Sequence, residues 1–132
     1  MANFYSDKVL EHFKNPRNIG SLSEGPDVGV GTVGNPVCGD IMKIFIKVGK
    51  RGSEEYVEDV KVQTLGCGAA IATSSMASEM IKGKPLAKAE ELSNQAVVEA
   101  LGGLPEVKKH CSVLAAQAIK EAINNYKKKQ MK

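Results

Sequence analysis

The sequence predicts an α+β fold: a small three-stranded antiparallel sheet with helices packed on one face, and a long C-terminal helix. Three observations carry that expectation. Apolar and polar residues alternate over 41–48 and again over 56–65, the period of half-buried strands. After Leu65 the apolar spacing changes to three and four, which is helical. Strands therefore come first and helices after, an order that gathers helices on one face of an antiparallel sheet.

In chain order, a short helix is expected over about 6–14, with Ser6 as N-cap, Val9, Leu10 and Phe13 apolar, and Asn15-Pro16 as the stop. Residues 15–36 hold five of the 13 glycines and three of the five prolines. That stretch reads as loop or mobile, with one edge strand near Val28–Val33. In the first clear strand Met42, Ile44, Ile46 and Val48 face the core and alternate with Lys43, Phe45 and Lys47. In the next, Val60, Val62 and Thr64 oppose Lys61 and Gln63. Gly49-Lys50-Arg51-Gly52-Ser53 between them predicts an antiparallel hairpin. A helix over about 67–81 follows from the stripe Ala69, Ala72, Met76, Ala77 and Met80, closed by Gly83 and Pro85. Another is expected over 93–101, stopped by Gly102-Gly103. The last begins at Leu104-Pro105-Glu106, where proline suits the first helical position and glutamate the first turn. Val107, Cys111, Leu114, Ala118 and Ala122 mark its apolar face.

The 132 residues suffice for one domain with one core, spanning 1–132. With 42% hydrophobic and 25% charged residues the composition is ordinary for a globular protein, so the fold does not depend on metal to stand. No apolar run approaches the length of a membrane span, and Met1-Ala2-Asn3-Phe4-Tyr5-Ser6 has neither a basic nor an apolar leader region. A cytoplasmic protein without a membrane partner is expected. Eighteen basic against 15 acidic residues leave a net charge of +3. Much of the excess is the tail Lys127, Lys128, Lys129 and Lys132, read as a solvated helix end. Three Tyr, three Phe and no Trp give little surface for stacking bases, which argues against nucleic acid.

The chemistry-bearing residues are three separated cysteines. Cys38 lies in Val37-Cys38-Gly39-Asp40, Cys67 in Gly66-Cys67-Gly68, and Cys111 directly follows His110. An odd count disfavours a disulfide framework and fits free thiols in a reducing compartment. Each sits at a joint between expected elements, where side chains can reach a shared point. Helix starts favour thiolates at Cys67 and Cys111. Glycine on both sides of Cys67 admits a close approach of main-chain N–H groups to a bound group. A cysteine is often a small core residue, and Cys111 alone, on a stripe with Leu114 and Ala118, fits that bland role. Gly-Cys-Gly and Cys-Gly-Asp do not, so a shared metal or thiol site outweighs scattered core cysteines about three to one. Consecutive helical residues point about 100° apart, so His110 and Cys111 do not readily bind one ion together. Asp40 offers a hard oxygen at a soft site. Three thiolates plus one exchangeable ligand, Asp40 or His110, is the resulting hypothesis. The chain has no Cys-x-x-Cys knuckle and no Walker loop, which removes common zinc modules and nucleotide binding.

Tyr5-Ser6-Asp7-Lys8-Val9, Asn15-Pro16-Arg17-Asn18, Asn35-Pro36-Val37-Cys38-Gly39-Asp40, Gly66-Cys67-Gly68 and His110-Cys111-Ser112 together resemble the landmarks of the IscU-type iron–sulfur cluster assembly scaffolds, the IscU and NifU N-terminal family. The likeness covers nearly the whole chain. It implies a scaffold, not an enzyme, that builds a 2Fe-2S cluster from iron and from persulfide sulfur supplied by a cysteine desulfurase, then passes it to apo-proteins. It implies Cys38, Cys67 and Cys111 as ligands with His110 or Asp40 completing the set. Cys111 is the implied persulfide acceptor, Gly39, Gly66 and Gly68 the supports, and Lys108 a charge that helps neutralise an anionic site. A ferredoxin, a frataxin-like protein, chaperones, a homodimer around the cluster and zinc in the apo form also belong to what the likeness allows.

The family's chaperone-recognition segment usually reads Leu-Pro-Pro-Val-Lys. Here Leu104-Pro105-Glu106-Val107-Lys108 puts a glutamate at the second proline, changing charge and stiffness together. The alternative is a zinc-binding SufU-like sulfurtransferase that accepts persulfide at a cysteine. SufU-type chains carry an insertion after the second cysteine and lack the histidine before the third, whereas this chain has His110 and no evident insertion. NifU-type chains continue into further cluster-binding domains, whereas this one ends at Lys132.

Overall fold

The computed structural model describes residues 11, 14–15, 18–23, 25–35, 40–65, 68–92, 94–102 and 110–130. Three strands, β1 (Val28–Asn35), β2 (Asp40–Arg51) and β3 (Glu54–Leu65), form one antiparallel sheet in the order β1-β2-β3. Four helices follow: α1 (Gly68–Ile81), α2 (Leu86–Glu90), α3 (Asn94–Ala100) and α4 (His110–Gln130). The expected α+β architecture with a long last helix is what the chain adopts. Of the expected first helix, Glu11 and Lys14 are helical and the Asn15 N–H donates to the Glu11 carbonyl at 2.8 Å. Its remainder lies outside the described residues.

β2 and β3 bury the face their alternation marks, with Met42, Ile44, Ile46, Val48, Val60 and Val62 all in the core. Fully burying one such side chain contributes about 1.5–3 kcal/mol. Both strands run further toward the turn than expected: Arg51 pairs with Glu54, leaving only Gly52 and Ser53 as the loop. Gly52 takes a φ of +64° there, the sign a tight two-residue hairpin demands and glycine supplies without strain. The register slips between Lys47 and Val48, so that Lys47 faces Asp59 while Val48 faces Val57 and Glu58 is the extra residue of a bulge. The bulge lets Val57 and Val60, three apart, both be buried.

Phe45 departs from its expected place among solvent-facing positions. It is only 5% exposed, although it sits on the face opposite the helices. Val30 and Lys61 flank it as cross-strand partners, and the Lys43 ammonium lies 5.1 Å from its ring centroid. Lysine stems cover an aromatic ring well while their charges stay in water.

β1 exists because of α4. The expected edge strand forms and extends to Asn35, fully in register with β2. Its Gly29 and Gly31 face the helix so closely that a Cβ on Gly29 would lie 2.1 Å from the Ala122 carbonyl oxygen, and one on Gly31 2.2 Å from that of Ala118. What reads as loop composition is the bare face on which α4 rests. The helix meets it with Ala115, Ala118 and Ala122, and sends Leu114, Ile119 and Ile123 into the core.

α1 is more buried than its apolar stripe implies. Thr73, Ser74, Ser75 and Ser78 are fully buried beside Ala72 and Ala77. The hydroxyls of Ser74 and Ser78 donate back to the carbonyls of Ile71 (3.0 Å) and Ser75 (2.6 Å), so their burial leaves no donor orphaned. α2 was absent from the expected elements. Pro85 precedes it with φ −57°, an angle preset for a helix start, and Leu86 and Ala89 seat it on the core. The Leu86, Ala89, Leu92 spacing after Pro85 is the signal that marks it.

Candidate metal centre

The described residues fix where the three cysteine-bearing segments leave the fold. Asn35, the last residue of β1, pairs with Asp40, the first of β2, and Ile41 pairs with Leu65, the last of β3. The connection that carries Cys38 and Gly39 thus starts and finishes at one end of the sheet. The connection carrying Gly66 and Cys67 departs from that same end and returns at Gly68, which opens α1. α4 runs antiparallel to β1, since Ala122 lies over Gly29 and Ala118 over Gly31. From Gly31 to Asn35 the strand advances about 13 Å. From Ala118 back to His110 the helix retreats about 12 Å. His110 and Cys111, the first residues of α4, therefore draw level with Asn35 and Asp40.

Cys38, Cys67, Gly39, Gly66 and the segment Leu104, Pro105, Glu106, Val107 and Lys108 lie outside the described residues. So do the side chains of Asp40, His110 and Cys111. Among the described residues no group of three or more His, Cys, Asp or Glu is placed to hold a metal. What the fold brings together is backbone: two sheet corners, the start of α1 and the start of α4. Helix starts expose N–H groups and the positive end of the dipole, so this end favours anionic groups, thiolate and sulfide among them.

The rim of that end is apolar. Ile41, next to Asp40, is 47% exposed, and Val113, two residues after Cys111, is 38% exposed. The period-two pattern over 41–48 flags Ile41, an apolar residue on the side it shares with Lys43, Phe45 and Lys47.

The far end is tied by polar contacts that the sequence reading did not foresee. Lys127 pairs with Glu90 at 2.8 Å. Lys129 donates to the carbonyls of Gly25 (3.2 Å) and Val28 (2.8 Å), and Asn125 Oδ1 accepts the Val30 N–H at 3.0 Å. Two lysines of the expected solvated tail thus act as fasteners. Tyr126 donates to Glu55, and burial together with that carboxylate pushes the phenol up to about 12.

The model of the NifU-like N terminal domain matches residues 4–132. This chain belongs to that family. Relatives across most of its length carry consistent names. The iron-sulfur cluster assembly scaffold protein IscU 1 of Archaeoglobus fulgidus is 57% identical over 128 residues, covering 97% of this chain and 80% of that protein. The scaffold protein IscU of Azotobacter vinelandii is 53% identical, covering 96% of each. Among solved structures, a NifU-like N-terminal protein from Brucella abortus superposes with a TM-score of 0.66 at 20% identity, covering 95% of both chains. A putative iron-sulfur cluster assembly scaffold protein for the SUF system from Fervidobacterium islandicum gives 0.64 at 20% identity, covering 91% of this chain and 96% of that one. At that identity both likenesses speak to the fold alone.

Proposed function

We propose that this chain is a scaffold on which a 2Fe-2S cluster is assembled from iron and persulfide sulfur and from which it passes to apo-proteins. The observation that carries the reading is the arrival of the segments bearing Cys38, Cys67 and Cys111 at one end of the sheet, in a chain 57% identical to a relative named as such a scaffold.

The thiolates of Cys38, Cys67 and Cys111 hold the cluster, which is cargo and not a resident cofactor. Asp40 or His110 fills the fourth position. Thiolate is the soft donor that iron in a sulfide environment prefers, and a carboxylate is the poorer one. A site of three fixed sulfurs and one weak partner suits a group that must later leave. Cys111 receives sulfur: its thiolate attacks the outer sulfur of the desulfurase persulfide, a new S–S bond forms, and the donor cysteine departs as thiolate. Each transferred sulfur then takes up two electrons from an external reductant of the ferredoxin class to become sulfide. No bond of a substrate is turned over catalytically, so the protein is a carrier. No helix among the described residues is long and apolar enough to cross a membrane, which suits a cytoplasmic site of action.

Anaerobic incubation with iron, sulfide and reductant tests the reading. An oxygen-sensitive coloured species with visible absorption is expected. Tightly held zinc in every preparation, with no cluster after reconstitution, would overturn it in favour of the zinc-bound sulfurtransferase. Asp40→Ala is expected to slow cluster loss to a chelator by about tenfold, the scale of a tuned ligand environment. Unchanged or faster loss removes Asp40 from that role and leaves His110.

A further inference from the structure

β1 is the edge of the sheet, and half of that edge is sealed. The Val30 N–H points away from β2 and is taken by Asn125, and the Val28 carbonyl is taken by Lys129. Backbone direction alternates along a strand, so the N–H and C=O of Thr32 and Gly34 also point away from β2. Among the described residues nothing meets them. Beside this stretch lies a cleft of about 270 Å³ lined by Thr32, Val33, Gln117, Lys120 and Glu121. An exposed row of strand donors and acceptors is a template for another strand.

We infer that this open stretch of β1 is where the extended, cysteine-bearing segment of a recipient apo-protein adds as a fourth strand. The inference rests on the scaffold reading and names how its recipients are held. Four observations select that occupant. The stretch leads directly to Asn35, about 10 Å beyond Thr32, and so to the end where the cysteine-bearing segments leave the fold. A second copy does not fit. α4 lies directly over β1, so antiparallel pairing of two copies would set two helices on neighbouring strands about 5 Å apart, inside the 8–10 Å that packed helices need. The open length is short, ending at the Asn125-capped Val30, which suits a few residues of peptide and not a full edge. The cleft carries one amine and one carboxylate, Lys120 and Glu121, and thus no net sign to select against a partner's charge.

Recipient segments have the matching chemistry. Where metal binding is coupled to folding, an apo-protein offers its cysteines on unstructured chain. Strand addition recognises such chain through main-chain hydrogen bonds, which is tolerant of sequence. A scaffold serving several recipients needs that tolerance. The cleft takes one side chain of the added strand beneath Gln117 and Lys120, while the recipient cysteine lies past Gly34, toward the start of α4.

Titration of the isotope-labelled full-length protein with a synthetic peptide of about ten residues, copied from the cysteine-bearing segment of an apo-ferredoxin, tests the inference without any cluster. Amide shifts concentrated at Thr32, Gly34, Gln117 and Lys120 are expected. A twin peptide N-methylated at alternate amides should lose binding by about tenfold or more. Shifts elsewhere, or equal binding of the twin, overturn the inference, as does self-association at this edge in sedimentation. Thr32→Pro removes only an outward N–H, which an edge strand tolerates. In cluster-loaded protein it should slow transfer to apo-ferredoxin about tenfold and leave loss to a small chelator unchanged; equal transfer rates overturn the docking site. Failure of any variant, wild type included, to load a cluster counts against the scaffold reading, while the peptide titration still decides the edge.

Discussion

The two edges of the sheet are treated differently. Along β3 the outward N–H groups of Val57, Val60 and Val62 are closed in succession. Val57 exchanges hydrogen bonds with Gly83 and Lys84, Val60 donates to the Asp59 side chain at 2.8 Å, and Val62 is bracketed by Asn18 and Gly20. Asn18 adds a side-chain bond to Ser78 at 2.9 Å and takes a φ of +59° to do so. Along β1 the closure stops at Val30. Unpaired strand edges invite association, and the β3 edge shows how this chain closes one with short segments and single side chains. Among the described residues Thr32 and Gly34 stay unclosed, on the half nearest the cysteine segments, which separates a tied half of the β1–α4 contact from an open one.

The contrast can be broken most severely on the braced half. Gly31→Val places a side chain against the Ala118 carbonyl and should cost about 3 kcal/mol or more through forced displacement of α4, seen as a lower denaturation midpoint. A loss under about 1 kcal/mol would mean the helix can lift without penalty. On the closed edge, Asn18→Ala removes the Ser78 bond and leaves an alanine at positive φ, an expected loss of about 2 kcal/mol. Asn18→Gly should recover part of it by relieving the angle alone.

At the tied end, Tyr126→Phe should cost about 1 kcal/mol at neutral pH by losing the bond to Glu55. It should also change the alkaline limb. A phenol whose folded-state pKa stands near 12 against an ordinary value of 10 stabilises the fold fully below pH 10. That contribution is lost as the pH climbs through about 12. Wild-type stability should therefore fall across that window, and the phenylalanine variant should show a shallower fall in a denaturant series. The smallest effect belongs to the open half, where Thr32→Ala should stay within about 0.5 kcal/mol. A larger loss would reveal a closure of this edge that the described residues do not contain.

These contrasts mark where the amino-acid pattern is readable and where it is silent. Alternation at Met42 to Val48 and at Val60 and Val62 reports burial directly, because each side chain decides its own face. Gly29 and Gly31 carry no side chain to report anything, so a strand packed under a helix shares its composition with a loop. Phe45, Ser75 and Ser78 mislead for a related reason. Their burial is decided by neighbours, Lys43 over the ring and surrounding elements around α1, and not by their own polarity. The lysines at 127 and 129 likewise become fasteners only once α4 is laid along β1. At the candidate centre, the residue types Cys38, Cys67 and Cys111 are plain in the sequence. The arrival of their flanking residues Asn35, Asp40 and Leu65 and of the start of α4 at one end depends on strand register and on the direction of α4, which no local pattern encodes.

Gly29 and Gly31 have one further consequence, for anyone reading tolerance to substitution across this chain. A scan scored by survival of function would find both positions as intolerant as the cysteines, since every other residue collides with the backbone of α4. Such a map would draw two functional spots, one at the cysteines and one on β1, but the second would be steric and silent toward iron, thiol reagents and pH. Only a readout that separates folded amount from cluster content would tell a lost contact surface from a lost ligand.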